Sequence, residues 1–459
     1  MLKGRRPAPL RHNGRMGWAY LAVSLVGAWF TFNAYRPSRR WQLLTLSFFA
    51  GWFTSELAVF HIAWQVAATV LFVWLGALGS WAGIVGLVVT LASWAGLLGL
   101  QLVSGRSAQV MEDALRDGLG PNYRSEIAPG LAERLARRGS RRQLLLPFYL
   151  RDRHVERVKN IQYAPGGGRR HLLDVWRPKG GAHRAPVLLQ LHGGAWMVGD
   201  KGQQALPLML HLAAEGWVCV AANYRLSPRA AIPDQLVDCK LALRWIREHV
   251  AEYGGDPDFV VVTGGSAGGH LAALLALTPD DPEFQPGFED ADTSVTACVP
   301  FYGVYDLAEV FDPRDRAGPR GERIGHWFAR RVAGATVEED RDRFMRYSPA
   351  AHVGPHAPPF FVVHGKSDNL VPVEQARRFV AALRAVSRKP VLYAEIPGAS
   401  HAFEVFHSVR TENVVNGVDR FLAWLHSAHR ARRPDVPADP VDPKSAAESA
   451  AAAAARDRR

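Results

Sequence analysis

The sequence predicts an α/β protein with a mostly parallel eight-stranded sheet and helices on both faces, preceded by N-terminal transmembrane helices. From about residue 155, short β-rich runs alternate with helical stretches, which is typical of a parallel sheet covered by helices. Before that point, residues 17–103 are almost continuously apolar. The predicted strands are Val155–Tyr163, His171–Trp176, Pro186–Leu191, Trp217–Asn223, Phe259–Thr263, Val295–Phe301, Pro359–Val363 and Val391–Ile396, and the predicted helices are 203–215, 234–252, 267–277, 373–387 and 410–429.

Residues 1–103 are predicted to form a membrane anchor. A basic tail precedes the apolar stretch Gly17–Tyr35, and Leu57–Leu78 and Trp81–Val103 are each long enough to supply the roughly 20 apolar residues that cross a bilayer. Trp41–Ser55 is shorter and fits a further span, a re-entrant piece or an interfacial helix. We therefore expect three or four crossings in a multi-pass protein of the cell membrane that contacts membrane lipid.

The side of the membrane that holds the main domain stays open. The basic tail favours a cytoplasmic start, after which three crossings would place the domain outside and four would place it inside. The arginine-rich stretch 106–153 favours the cytoplasm. Glu56 and His61 interrupt the apolar region, either as functional intramembrane groups or as markers of a loop.

The rest of the chain divides into three further segments around one insertion. Residues 104–153 carry leucines among arginines and predict an amphipathic helical connector. The main domain, 154–430, is interrupted by 303–350, where the absence of a clear strand predicts an insertion or lid. The tail 431–459 is rich in Pro, Ala, Asp and Arg and is predicted to be disordered because it cannot build a core.

The charge and the cysteine content of the chain indicate which kinds of partner to expect. The 459 residues carry a net charge of +12. Because the basic residues are scattered rather than grouped in a stripe with interleaved aromatics, we expect a basic surface near anionic lipid and no nucleic-acid partner. Cys219, Cys239 and Cys298 have no CxxC spacing, so we predict core thiols rather than a disulfide or a metal site.

The strongest chemical signal is the apolar strand Val260–Thr263, which runs directly into Gly264-Gly265-Ser266-Ala267-Gly268 and then into a helix-forming stretch. A serine on so tight a turn adopts strained dihedral angles, so the residues two positions away on either side must lack bulk. The turn exposes the hydroxyl and directs a helix N-terminus toward it. We predict that Ser266 is a nucleophile; the alternative is an ordinary glycine-rich turn.

A second glycine-rich turn, His192-Gly193-Gly194-Ala195-Trp196, follows another apolar strand. Backbone N–H groups at a strand end can point at a developing oxyanion. We predict an oxyanion hole formed by the N–H groups of Gly193, Gly194 and Ala267, with His192 holding the loop. The alternative is a simple strand-ending turn.

A nucleophilic serine on such a turn needs an acid and a histidine that follow it in that order along the chain. Asp368 and His401 both lie in loops at the carboxyl ends of predicted strands, where ligands bind in parallel α/β proteins. We predict that His401 transfers the proton and that Asp368 orients its ring. The alternatives are His407, His364 and His356 for the base and Asp306 for the acid, and His270 is expected to be a packing residue.

Residues 155–430 resemble the bacterial hormone-sensitive-lipase-like carboxylesterases of the α/β-hydrolase superfamily. The resemblance runs through both glycine-rich motifs, Asn223–Pro228, Gly255–Pro257 and the loops around Asp368 and His401. It points to the membrane-attached branch that includes actinobacterial Lip-type esterases and isoprenylcysteine methylesterase-like proteins. It does not cover residues 1–150.

This resemblance implies the α/β-hydrolase fold, an acyl-enzyme mechanism, no cofactor, and a preference for short or medium acyl esters. Ala195 replaces a third glycine common in the oxyanion loop, which is expected to trim the pocket, and Gly265 replaces an Asp often found before the serine. The residues to which the resemblance assigns triad or oxyanion roles are Ser266, Asp368, His401, Gly193, Gly194 and Ala267.

The sequence thus predicts a serine carboxylic-ester hydrolase, esterase- or lipase-like, acting on small-molecule or lipid esters. The same machinery cleaves activated amides, so an amidase or formamidase is the alternative. A third hypothesis is an inactive fold that serves as a membrane scaffold. A degraded triad would mark such a scaffold, and none is seen in the sequence. The physiological substrate and the oligomeric state do not follow from the sequence.

Overall fold

A computed structural model describes residues 10–38, 40–136, 142–312 and 318–433. The predicted tail lies almost entirely outside the described residues. The strands are β1 (Val155–Gln162), β2 (Leu172–Pro178), β3 (Ala185–Leu191), β4 (Val218–Ala222), β5 (Gly255–Gly265), β6 (Ala297–Phe301), β7 (Phe360–Gly365) and β8 (Val391–Ile396). The described helices are α1 (Leu10–Tyr35), α2 (Trp41–Glu56), α3 (Ala58–Trp74), α4 (Trp81–Gly105), α5 (Ser107–Leu119), α6 (Pro129–Ala136), α7 (Arg142–Leu145), α8 (Leu206–Ala214), α9 (Ile232–His249), α10 (Ala267–Leu277), α11 (Leu307–Val310), α12 (Gly318–Ala333), α13 (Arg341–Arg346), α14 (Val373–Val386) and α15 (Val409–Ala431).

The eight strands form one sheet in the order β1-β2-β4-β3-β5-β6-β7-β8. Strands β3 to β8 run parallel, whereas β1 and β2 pair antiparallel at one edge. All eight predicted strands are present, so the predicted mostly parallel sheet is confirmed. The carboxyl ends of β5, β7 and β8 therefore lie along one edge of the sheet.

Helices cover both faces of the sheet. Every residue of β3 is buried, as expected for a central parallel strand with apolar side chains on both faces. On one face, α9, α10 and α14 contribute core residues such as Leu236, Leu271 and Phe379. On the other face, α5, α8 and α15 do the same. The three cysteines are free and buried in these cores, as predicted.

The described part of the segment 104–153 contains α5, α6 and α7, and α5 and α6 pack on the sheet unit. Met111 and Leu115 of α5 are completely buried in the core formed with α15 and β8. Arg134 of α6 donates to Asp419 of α15 over 2.7 Å. The insertion 303–350 likewise holds helices rather than strands in its described part, namely α11, α12 and α13.

The N-terminal region is helical from α1 to α4, but fewer helices than predicted meet the criteria for a membrane span. Among the described residues, one helical stretch, Trp81–Leu119, is long and apolar enough to cross a bilayer. The pair Gln42–Glu56 and Ala58–Trp74 is bent by 92° and adds one more only if it counts as a single span. One or two spans result by length and composition, below the predicted three or four.

Helix α2 is joined to the sheet unit by a buried ion pair. Arg410 of α15 donates through Nη1 to Glu56 Oε1, and both side chains are completely buried. Ser408, which caps α15 by accepting from Thr411 N, also donates to Glu56 Oε2 over 2.8 Å. His61 instead contacts Trp64 and Thr54. Glu56 therefore has a structural contact that the sequence alone did not assign.

We expect Arg410→Met to lower the free energy of unfolding by about 3–5 kcal/mol, because it leaves the Glu56 carboxylate buried without its partner. The double variant Glu56→Gln/Arg410→Met should recover most of this loss. Thermal unfolding of the detergent-solubilised protein measures both effects.

Arg378→Met is the matched control, since the Arg378–Glu309 pair is largely exposed and should contribute less than about 1 kcal/mol. The expectation is wrong if Arg410→Met is no more destabilising than this control.

Candidate active site

Ser266 lies alone between the end of β5 and the start of α10, with φ 57° and ψ −121°. Its N–H donates to Phe301 O over 3.0 Å. A Cβ on Gly264 would lie 2.6 Å from the Leu191 carbonyl oxygen, and one on Gly268 would collide with the same oxygen. The packing of the turn therefore leaves no space for a side chain at either glycine, and the strained turn presents Ser266 at the sheet edge.

Asp368 and His401 are in direct contact. His401 Nδ1 lies 2.7 Å from Asp368 Oδ2, and Oδ1 of the same carboxylate accepts from the N–H groups of Leu370 and Val371. Burial would raise the pKa of Asp368, but His401 and His364 outweigh that effect and hold the pKa well below its ordinary value. An ionised Asp368 fixes the proton on Nδ1 and leaves Nε2 of His401 free to accept one.

The alternative histidines and the alternative acid occupy different surroundings from His401 and Asp368. His364 lies 3.4 Å from Asp368 Oδ2 through Nε2, bonds Val371 O over 3.1 Å and is fully buried. His407 pairs with Glu412 over 2.6 Å. His356 is exposed. Asp306 caps α11 by accepting from Glu309 N.

His192 and His270 are structural, as expected. His192 bonds Gly193 O over 2.8 Å and stacks on Tyr224 with ring centroids 4.3 Å apart. His270 accepts from Trp196 Nε1 and donates to Tyr347 O. Desolvation lowers the pKa of each imidazole to about 4, so both rings are neutral at physiological pH.

Tyr302 connects the turn that carries Ser266 with the loop that carries His401. It follows β6 directly, and its ring centroid lies 4.5 Å from that of His401. A Cβ on Gly265 would lie 2.6 Å from Tyr302 Oη, so glycine before the serine makes room for this tyrosine. Ser266 and His401 are thus on the same side of the sheet, with Tyr302 between their loops.

The three N–H groups predicted to form the oxyanion hole differ in whether they are free to bind an oxyanion. Gly193 N–H donates to Gln204 Oε1 over 2.6 Å. Gly194 has φ +121°, a conformation that favours glycine. Ala267 begins α10, so its N–H has no acceptor within the helix. Ala195 adopts φ +52°, a strained value for the residue that replaces a third glycine.

Sequence reasoning missed four residues at this site: Gln204, Tyr302, Glu404 and Phe48. Glu404 accepts from Tyr302 Oη, and Phe48 of α2 has its ring centroid 6.3 Å from that of His401. The aromatic content of α2 was the one signal in the sequence for Phe48. The remaining three lie outside any motif and meet the site through contacts distant along the chain.

Comparison with known proteins relates the chain to esterases. The BD-FAE family model matches residues 173–383. The chain is 42% identical over 427 residues to the "Probable carboxylic ester hydrolase LipM" of Mycobacterium tuberculosis (strain ATCC 25618 / H37Rv), covering 89% of this chain and 93% of that one. It is 43% identical over 327 residues to "Esterase LipQ" of the same organism, covering 70% and 75%.

Among solved structures, a "Truncated form of carbohydrate esterase from gut microbiota" shares the fold, with a TM-score of 0.50, 24% identity, and coverage of 58% of this chain and 96% of that chain. Because the first alignment covers 89% of this chain, it includes part of residues 1–103, so the relationship extends into the N-terminal helices. The chain is therefore a carboxylic ester hydrolase that belongs to the Lip-type esterases of the α/β-hydrolase superfamily.

Proposed function

We propose that Ser266, His401 and Asp368 form a catalytic triad that cleaves lipophilic carboxylic esters through an acyl-enzyme. The observation that carries the proposal is the 2.7 Å contact between His401 Nδ1 and the buried Asp368 carboxylate, at the sheet edge that also bears the strained Ser266. The three side chains then act as nucleophile, base and orienting acid, which are the roles that acyl transfer needs.

In this mechanism Ser266 Oγ adds to the ester carbonyl carbon while His401 Nε2 accepts the hydroxyl proton. The imidazolium returns that proton to the departing alkoxide, so an alcohol leaves and the acyl group stays on Oγ. Water then attacks the acyl carbon with the same proton transfers and releases the carboxylic acid. The N–H groups of Gly194 and Ala267 stabilise each oxyanion, and Gly193 joins them when Gln204 releases its bond.

Aromatic side chains of α2 form an apolar wall beside the His401 imidazole, and this wall favours a lipophilic substrate. Phe48 stacks on Trp52 of the same helix, with ring centroids 5.5 Å apart, and both lie on the side of α2 that meets the His401 loop. Apolar side chains at this position favour an ester with an apolar chain over one with a polar chain, because contact with them removes apolar surface from water.

Membrane attachment completes the proposal. We assign residues 1–103 to a membrane anchor, 104–153 to a helical connector, and 154–430 to the catalytic domain with an insertion at 303–350. In this insertion, Phe311 and Phe328 pack on Trp196 of the proposed oxyanion loop. Three outward side chains of α2 are about half exposed, which suits a helix at the lipid interface. These side chains are Leu43 (48%), Leu46 (58%) and Phe49 (47%).

Ser266→Ala should reduce hydrolysis of p-nitrophenyl butyrate by at least about 10⁴-fold, because it removes the attacking oxygen. It should also abolish covalent labelling by a fluorophosphonate probe. Ser125→Ala, which changes an exposed serine, is the control and should retain full activity. Turnover that persists in purified Ser266→Ala would exclude Ser266 as the nucleophile.

Phe48→Ala should lower kcat/KM for p-nitrophenyl octanoate about tenfold and leave the acetate nearly unchanged, since it removes apolar area that a long chain contacts. Phe49→Ala, on the outward side of the same helix, should not change the octanoate-to-acetate ratio. An equal loss on both esters would contradict the assignment of Phe48 to the chain-binding wall.

Membrane pellets washed with alkaline carbonate should retain the full-length protein, because a helix that spans the bilayer is not released by breaking ionic contacts. Detergent should then extract it in active form. Release by carbonate alone would refute the anchor, and a soluble esterase expressed in the same cells provides the control.

A further inference from the structure

The loop that carries His401 also carries a second buried acid. Glu404 lies three residues after the histidine and is 4% exposed. Its Oε1 accepts from Tyr302 Oη, while Oε2 has no hydrogen-bond partner among the described residues. A buried carboxyl group with one unpaired oxygen destabilises the folded protein, and such groups are found where they serve a function.

Tyr302 connects this acid to the reacting groups. Its ring packs on the imidazole at 4.5 Å between centroids, and its hydroxyl bonds the Glu404 carboxyl group. The same ring fills the space beside Gly265, next to the nucleophile. Glu404 therefore holds the tyrosine that contacts both the serine turn and the histidine.

The groups that face Glu404 come from three directions. Tyr302 faces it from the end of β6, Glu56 from α2 and His401 from its own loop. Burial raises the pKa of Glu404 to about 7 and Glu56 adds to the rise, while Tyr302 and His401 oppose it. Glu404 is therefore neutral in acid and becomes a carboxylate as the pH rises through neutrality.

We propose that Glu404 is a positioning residue that holds Tyr302 against His401 and, as a carboxylate, stabilises the imidazolium formed in each half-reaction. This inference rests on the proposed function, since it needs His401 to accept the Ser266 proton. The transfer places positive charge on an imidazole whose other carboxylate neighbour is Asp368. A second negative charge in the same buried site lowers the free energy of that state more than it would in water.

The test compares pH–rate profiles of the full-length, detergent-solubilised wild type and Glu404→Gln on p-nitrophenyl butyrate. At about pH 5.5 the two should have similar kcat, because glutamine resembles the protonated acid. At about pH 8.5 the wild type should be faster on the order of tenfold, because only its side chain is charged. The ratio of the two rates should thus rise as the pH passes through neutrality.

Tyr302→Phe provides a second variant. Because the tyrosine hydroxyl lowers the pKa of Glu404, its removal should move the rise in activity to higher pH. Glu412→Gln is the matched control, since Glu412 pairs with His407 rather than His401. Its rate relative to the wild type should not depend on pH.

A Glu404→Gln rate that differs from wild type by the same factor at every pH would overturn the inference. So would equal rates throughout. Fluorophosphonate labelling separates this failure from failure of the triad. If Glu404→Gln gives a flat ratio but Ser266 is still labelled and required, only the role of Glu404 is lost. If Ser266→Ala remains active, the proposed function itself is wrong.

Discussion

The close approach of the α10 N-terminus to the end of β3 is the constraint on which the site depends. At Gly264 and Gly268 the backbone packs against the carbonyl oxygen of Leu191, with no space for a Cβ. This contact forces Ser266 into its strained conformation and brings the Ala267 N–H beside the loop that begins at His192. The proposed nucleophile and the proposed oxyanion donors are therefore positioned by one packing contact rather than by separate interactions.

Patterns that depend on local sequence were the ones that could be predicted. Strand β8 begins and ends where its apolar run does, and Asp368 and His401 follow strands whose direction the alternation had already indicated. The membrane spans were harder because apolar length alone does not separate a span from an interfacial helix. Glu404 could not be assigned because its partner, Tyr302, lies 102 residues away and the meeting of the two depends on the order of the strands.

A buried ion pair links the N-terminal helices to the sheet unit. Glu56 of α2 pairs with Arg410, and it also lies close enough to Glu404 to raise the pKa of that acid. Phe48 of the same helix packs beside His401. Removing α2 would therefore leave Arg410 without its counter-charge and expose one side of the imidazole, so the N-terminal region is part of the environment of the site.

The two departures from the resembling esterases have different physical consequences. Ala195 adopts a positive φ that glycine tolerates without strain, so this substitution raises the energy of the loop conformation. Gly265 changes the composition of the site, because a side chain before the serine would occupy the place of Tyr302. The tyrosine in turn binds Glu404 on the His401 loop. The turn that carries Ser266 thus lacks an acid before the serine, whereas the loop that carries His401 holds one, Glu404, and under the proposed mechanism its charge acts on His401 rather than on Ser266.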